Sequence, residues 1–319
     1  MQIFQTILPT FVWGVFLLTQ GVVYDFFVVP EGETIFKFYF FQEFFLLASL
    51  GLLIGVGAVW KIHVSQRLVV CMFFVFIMYT TLLLYGGQKS MISYVIPYHW
   101  DYLFFQVDRW LHFDQLPHEY ISKTPSFGFI KVMDTLYYVW FFVIYLGVMG
   151  HIVFQKSIMT LQKIVLSFSV VWLFMGVYMA TIFSSYGPIF WDDFDNYFNP
   201  YRDYISHLRS IEDDSLFFTF FYERLLSLQS SVPLVDINGI SAMPSLHVAL
   251  SFLTFLHVPK RLLFLKLGVG LFFLSIFVGS IVLGWHYAVD GYVSILCTYI
   301  LWRGVNWGID KYQKRIAVP

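Results

Sequence analysis

Two short stretches hold the residues best suited to chemistry. "GWHYAVDGY", residues 284–292, carries His286 and Asp290 four apart at the start of an apolar run. On a helix that spacing puts both side chains on one face. The carboxylate can accept from one imidazole nitrogen and fix the tautomer, which leaves the other nitrogen as a nucleophile or base. "SAMPSLHVAL", residues 241–250, lodges Pro244, Ser245 and His247 at the entrance to a second apolar segment. Pro244 suits a first helical position, and Ser245 and His247 then fall in the first turn. The free N–H groups of such a turn, with the helix dipole, form an anion site. Gly239 lets the preceding loop approach an anion closely, and Ser241 joins Ser245 as a candidate contact. Either motif alone could be simple capping or a polar tie between helices. Their coincidence on one face of a membrane, two spans apart, argues for a site.

The rest of the chain must position these residues. Of 319 residues, 59% are hydrophobic, 22% aromatic and 12% charged. That is about half the charge of a soluble domain. With several long apolar runs it predicts an all-α, polytopic membrane protein. Candidate spans are 8–29, 35–60, 67–87, 134–154, 163–185, 243–258, 262–284 and 286–307. The first is read as a retained span and not a cleaved signal. Cys71 and Cys297 fall inside spans and read as buried apolar residues. With a net charge of −1 and no basic, aromatic-interleaved patch, nucleic acid is excluded as a partner.

Two connections are long, 88–133 and 186–242. In the second, 214–229 reads as an amphipathic helix on the membrane surface. In the first, 99–119 reads as an interfacial segment in which Asp108 and Arg109 pair. Asp134 is placed as the N-cap of its own span, and His63, His118 and His207 as solvated loop residues. The short basic loops and both termini fall on one side of eight spans, which predicts cytoplasmic termini. Both polar motifs then face outward, periplasmic or luminal.

"PSLH" at 244–247 with "HYAVD" at 286–290 resembles the type 2 phosphatidic acid phosphatase superfamily, which shares its active site with vanadium haloperoxidases. The family's second signature has the form Pro-Ser-x-His and its third Ser-Arg-x5-His-x3-Asp. The resemblance runs from roughly 67 to 307 as a six-helix core, with two N-terminal spans added. It divides the chain into additional helices at 1–62, a catalytic membrane domain at 63–310 and a tail at 311–319. It implies that His286 attacks phosphorus and forms a phosphohistidine, that Asp290 orients His286, and that His247 protonates the leaving oxygen. Ser245 and nearby amides would hold the phosphoryl oxygens. It implies no cofactor and no metal.

The chain departs from that pattern twice. Gly279 and Ser280 stand where the third signature has Ser-Arg. The first signature, Lys-x6-Arg-Pro, is missing; its place falls at "SSYGPIFWDD", 184–193, where the Gly187-Pro188 turn is expected to shape the pocket. Arg109, Lys123, Arg202, Arg209 and Arg224 are the outward candidates to replace the lost charge. These losses resemble the branch that includes the inositol phosphoceramide synthases. The expected activity is transfer of a phospho-headgroup from a membrane lipid to a lipid or glycan hydroxyl, with water as the acceptor in the alternative, a lipid phosphate phosphatase. A transporter or scramblase using His286 and Asp290 as a proton relay is the alternative of another class. The lipid, the acceptor and the oligomeric state stay open.

Overall fold

A computed structural model describes residues 2–28, 66–195, 198–211, 216–229 and 239–316. Among them there is no strand, and ten helices exceed two turns. These are α1 (Gln2–Val28), α2 (Gln66–Ser90), α3 (Asp101–Leu111), α4 (Phe127–Phe154), α5 (Ile158–Leu173), α6 (Arg202–Ser210), α7 (Phe217–Gln229), α8 (Leu246–His257), α9 (Leu263–Val282) and α10 (Ala288–Ile316). The expected span 35–60 lies outside the described residues.

Among the described residues, four helices are long and apolar enough to cross a membrane: α2, α4, α5 with its continuation to Ile182, and α9. The chain is therefore an integral membrane protein. Helix α5 is sheathed by the others, whereas α9 turns Phe264, Leu267 and Leu271 outward. α5 packs against α2, α8 and α10; α9 packs against α4 and α8. Trp140, Phe168, Val171, Leu250 and Ile276 lie in the apolar core between them. α1 packs on α2 and α5, where the Trp13 indole donates to the Ser169 hydroxyl at 2.6 Å.

Serines begin three of the bundle helices, α4, α5 and α8. The Ser126, Ser157 and Ser245 hydroxyls accept from the amides of Phe129, Thr160 and Val248, three residues on. Each satisfies an N–H that the first turn leaves unpaired. Two sequence expectations change here. Pro244 is not the first helical residue: Ser245 is the cap, and Pro244 precedes it. Asp134 does not cap its own helix, which starts at Ser126; it lies in the second turn of α4 and accepts from the amides of Phe217 and Phe218 at 2.8 and 2.9 Å, capping α7 instead.

Above the bundle ends sits a second layer, built from α3, α6, α7 and the loops at 184–195 and 239–245. Its core is aromatic, with Phe105, Trp191, Tyr201, Tyr204 and Tyr287 buried together. α7 falls within the amphipathic segment read at 214–229. His118, expected in solvent, is instead buried and stacked on Tyr204 with ring centroids 3.9 Å apart. Burial lowers its pKa to about 4, so the ring is neutral and packs as an aromatic.

Candidate active site

The turn between α9 and α10 presents His286. Gly284, at φ +72°, makes this turn possible. The neighbouring segment 185–190 braces it from behind. The amide of Ile189 donates to the Gly284 carbonyl at 2.8 Å. Gly187 sits at φ +87°, and a Cβ there would stand 2.7 Å from the Trp285 carbonyl oxygen, so only glycine fits. The 239–245 loop is pinned to the same segment: the Ala242 amide donates to the Ser185 carbonyl at 3.0 Å and the Met243 amide to the Ser185 hydroxyl at 3.1 Å.

These ties fix the imidazole. Nδ1 of His286 lies 2.7 Å from the Ala242 carbonyl oxygen and 3.3 Å from Oδ2 of Asp290. A carbonyl oxygen only accepts, so Nδ1 carries the proton and Nε2 the lone pair. Asp290 is fully buried, and its Oδ2 also accepts from the Tyr287 amide at 3.0 Å.

His247 stands in the first turn of α8. Its ring stacks on Tyr137, centroids 4.2 Å apart, and lies against Trp140 at 4.3 Å. The Trp140 indole donates to the His247 carbonyl at 3.0 Å and to the Ser251 hydroxyl at 2.9 Å, which locks that turn. The two imidazole centroids are 6.4 Å apart. Both line one cavity of about 270 Å³ with Gly239, Ser241, Pro244 and Lys89. Its remaining walls are mostly aromatic, from α4 and α7, with Phe217 stacked on Tyr138 at 3.7 Å.

Of the residues singled out in the sequence, His247, His286, Ser241 and Gly239 meet at this cavity. Asp290 and Ser245 stand one step behind, on the imidazole and on the cap of α8. Gly187 and Pro188 are not among the cavity-lining residues; they shape the backbone that carries Trp285 and His286.

Three residues that sequence reasoning missed or misread support the site. Asp101 accepts from the amides of Tyr186 and Gly187 at about 3 Å and from the Tyr287 hydroxyl at 2.8 Å, tying two site segments together. Asp108 does not pair with Arg109. It accepts from the amides of Ala288 and Val289, both at 2.8 Å, capping α10 just after His286. Arg109 bridges Asp114 at 3.1 Å instead. Burial raises Asp101 to about 6 and Asp108 to about 7, against the amide donors that lower them. The third is Lys89, at the end of α2. The i,i+4 pair had a periodic signal; these long-range ties and the position of Lys89 had none.

A tethered imidazole with a free Nε2, a second imidazole opposite and a largely aromatic chamber define a class of site suited to group transfer. Residues 103–303 match the family model of the PAP2 superfamily, which is more than half of the chain. The chain belongs to the PAP2 superfamily and is thus a lipid enzyme of the phosphatase or phosphotransferase type. No curated protein and no solved structure matches it.

Proposed function

We propose that this protein transfers a phospho-headgroup from a membrane lipid to a hydroxyl acceptor, in the manner of the inositol phosphoceramide synthases, through a phosphohistidine at His286. The observation that carries the reading is the tethered Nδ1 of His286, with His247 across the same cavity. The Nε2 lone pair forms the N–P bond as the P–O bond to the leaving group breaks. That oxygen takes its proton from His247. The acceptor hydroxyl then returns a proton to His247 as its oxygen bonds phosphorus and the N–P bond breaks. Ser241 and the first-turn amides of α8 offer donors to the phosphoryl oxygens.

The aromatic walls favour a lipid or glycan acceptor over water. Phe217, Phe218 and Phe221 of α7 cover the chamber, and an apolar enclosure slows hydrolysis of the intermediate. A lipid phosphate phosphatase is the second reading, with water entering the same chamber. The orientation is proposed with the site outward and the termini cytoplasmic. Arg67 opens α2 and Lys89 closes it, about 33 Å apart along a helix; Arg67 donates to the Val153 carbonyl, and Lys163 pairs with Asp310, both among the basic ends.

The test uses purified protein in EDTA, with phosphodiester lipids plus hydroxyl acceptors, and separately with lipid phosphates. Transfer is expected from diesters, with His286→Ala lowering it by at least about 10³-fold. Phosphate release from monoesters without transfer moves the reading to the phosphatase. Activity undiminished in His286→Ala sinks the phosphohistidine.

A further inference from the structure

We propose that Lys89 holds the phosphoryl oxygens in this site, replacing from another helix the basic residues that the family signatures lack here. The inference rests on the phosphoryl-transfer reading and names the group that supplies its charge. Ser280 stands where the third signature has arginine, but its hydroxyl donates to the Phe277 carbonyl at 2.7 Å and is 1% exposed. It cannot contact a substrate. Four of the five outward candidates pair with acids: Arg109 with Asp114, Lys123 with Glu119, Arg202 with Asp192 and Arg209 with Asp193. None of the five is among the residues lining the cavity.

Lys89 is the one lysine or arginine among the described residues that line it. It shares that lining with His247 and His286. Its ammonium lies 5.7 Å from the ring centroid of Tyr85, which is itself held edge-on by Trp172 at 4.6 Å. The other charged residue in the lining, Asp134, spends both oxygens on the amides of α7. A lysine at the end of a spanning helix ordinarily snorkels to the headgroups; this one shares a chamber with two imidazoles. It also precedes the segment matched by the family model, which begins at residue 103.

The count of cations sets the charge the site takes. The proton on His247 is spent on the leaving oxygen, so Lys89 is the one permanent cation in the lining, and it offsets one negative charge on the phosphoryl group. A phosphodiester carries one, and a phosphomonoester closer to two at neutral pH. An uncompensated charge in an apolar chamber is costly. The wild-type site therefore favours diesters.

Orthovanadate, a phosphoryl mimic, is the probe, and its binding is followed by quenching of the cavity tryptophans Trp140, Trp172 and Trp285. Lys89→Met is expected to weaken vanadate binding by about 10²-fold, while Lys89→Arg keeps it within a few fold. Lys89→Gln is read beside Lys89→Met, so that a packing defect in one does not decide the result. If both neutral variants bind as wild type does while His286→Ala does not, Lys89 loses the role and the phosphohistidine reading stands. If wild type binds no vanadate, both fall. Faster turnover of a monoester than of the matching diester by wild type overturns the charge matching.

Discussion

The membrane bundle and the layer above it are held together by different physics. The bundle core is close-packed side chains such as Trp140, Ile144, Val171 and Leu250, buried among helices. Packing of that kind is cumulative and no single contact sets the register. The outer layer instead turns on three buried carboxylates. Asp101, Asp108 and Asp134 are 2%, 1% and 4% exposed, and each accepts from two consecutive amides of a distant segment. Such contacts fix position to within a hydrogen bond and are strongly directional. The site straddles the two regions. His247 and Asp290 ride on α8 and α10, while Ala242 and the 184–190 brace that set the His286 ring belong to the upper layer. The bundle thus supplies stability, and the carboxylates supply alignment.

The largest test of that division pairs one substitution from each region. Asp108→Ala strips the cap from α10 and leaves two buried amides unsatisfied, which costs about 3 kcal/mol. It also frees the turn holding His286, and a displacement near 1 Å lowers turnover by about 10²-fold. Ile144→Ala in α4, 2% exposed, is expected to cost a similar 2–3 kcal/mol through its cavity. Its turnover per folded molecule should stay near wild type. Thermal inactivation in detergent gives the first quantity, and turnover corrected for the active fraction gives the second. Equal loss of turnover in both would erase the distinction.

The same contrast separates what the sequence discloses from what it hides. The bundle was readable because apolar runs of span length have one use, and α8, α9 and α10 begin within two or three residues of the expected starts. The i,i+4 spacing of His286 and Asp290 was readable for the same local reason. Asp134 was read as the cap of its own helix because capping is usually local; its partners are more than 80 residues away. Asp101 looks like an ordinary first-turn acid, and Lys89 like an ordinary interfacial lysine. Each acquires its role only when distant segments are folded against it, and no periodicity encodes that.

A smaller effect follows from the pH dependence of the outer layer. Burial raises Asp101 to about 6 and Asp108 to about 7, from an ordinary 3.8. A carboxyl raised on folding binds its proton more tightly in the native state. Its contribution to stability is complete below the unfolded value and is lost as pH rises through the folded one. The two carboxyls therefore contribute a decline from about pH 4 to pH 7, against which the buried His118, lowered from 6.5 to about 4, contributes a rise over the lower part of that range. Asp108→Asn should flatten the upper part of that decline, near pH 7, and leave the part near pH 6 to Asp101. Thermal denaturation across pH 4–8 reads both, and an unchanged slope in Asp108→Asn would remove Asp108 from the account.

The finest comparison uses two glycines. Gly268, inside α9, has open space where a Cβ would stand. Gly268→Ala should be neutral or stabilising by up to about 1 kcal/mol, since alanine is the better helix former. Gly187 occupies φ +87°, with the Trp285 carbonyl 2.7 Å from the added Cβ. Gly187→Ala forces a left-handed alanine and pushes the backbone that carries His286, at about 1–2 kcal/mol. A backbone carbonyl cannot rotate aside as a side-chain terminus can, so the push reaches the imidazole. Turnover of Gly187→Ala should fall more than its stability does, whereas Gly268→Ala should change neither by much. A Gly187→Ala enzyme with wild-type turnover would mean that the 184–190 brace yields without moving His286. Alignment would then rest on Asp108, Asp290 and Ala242.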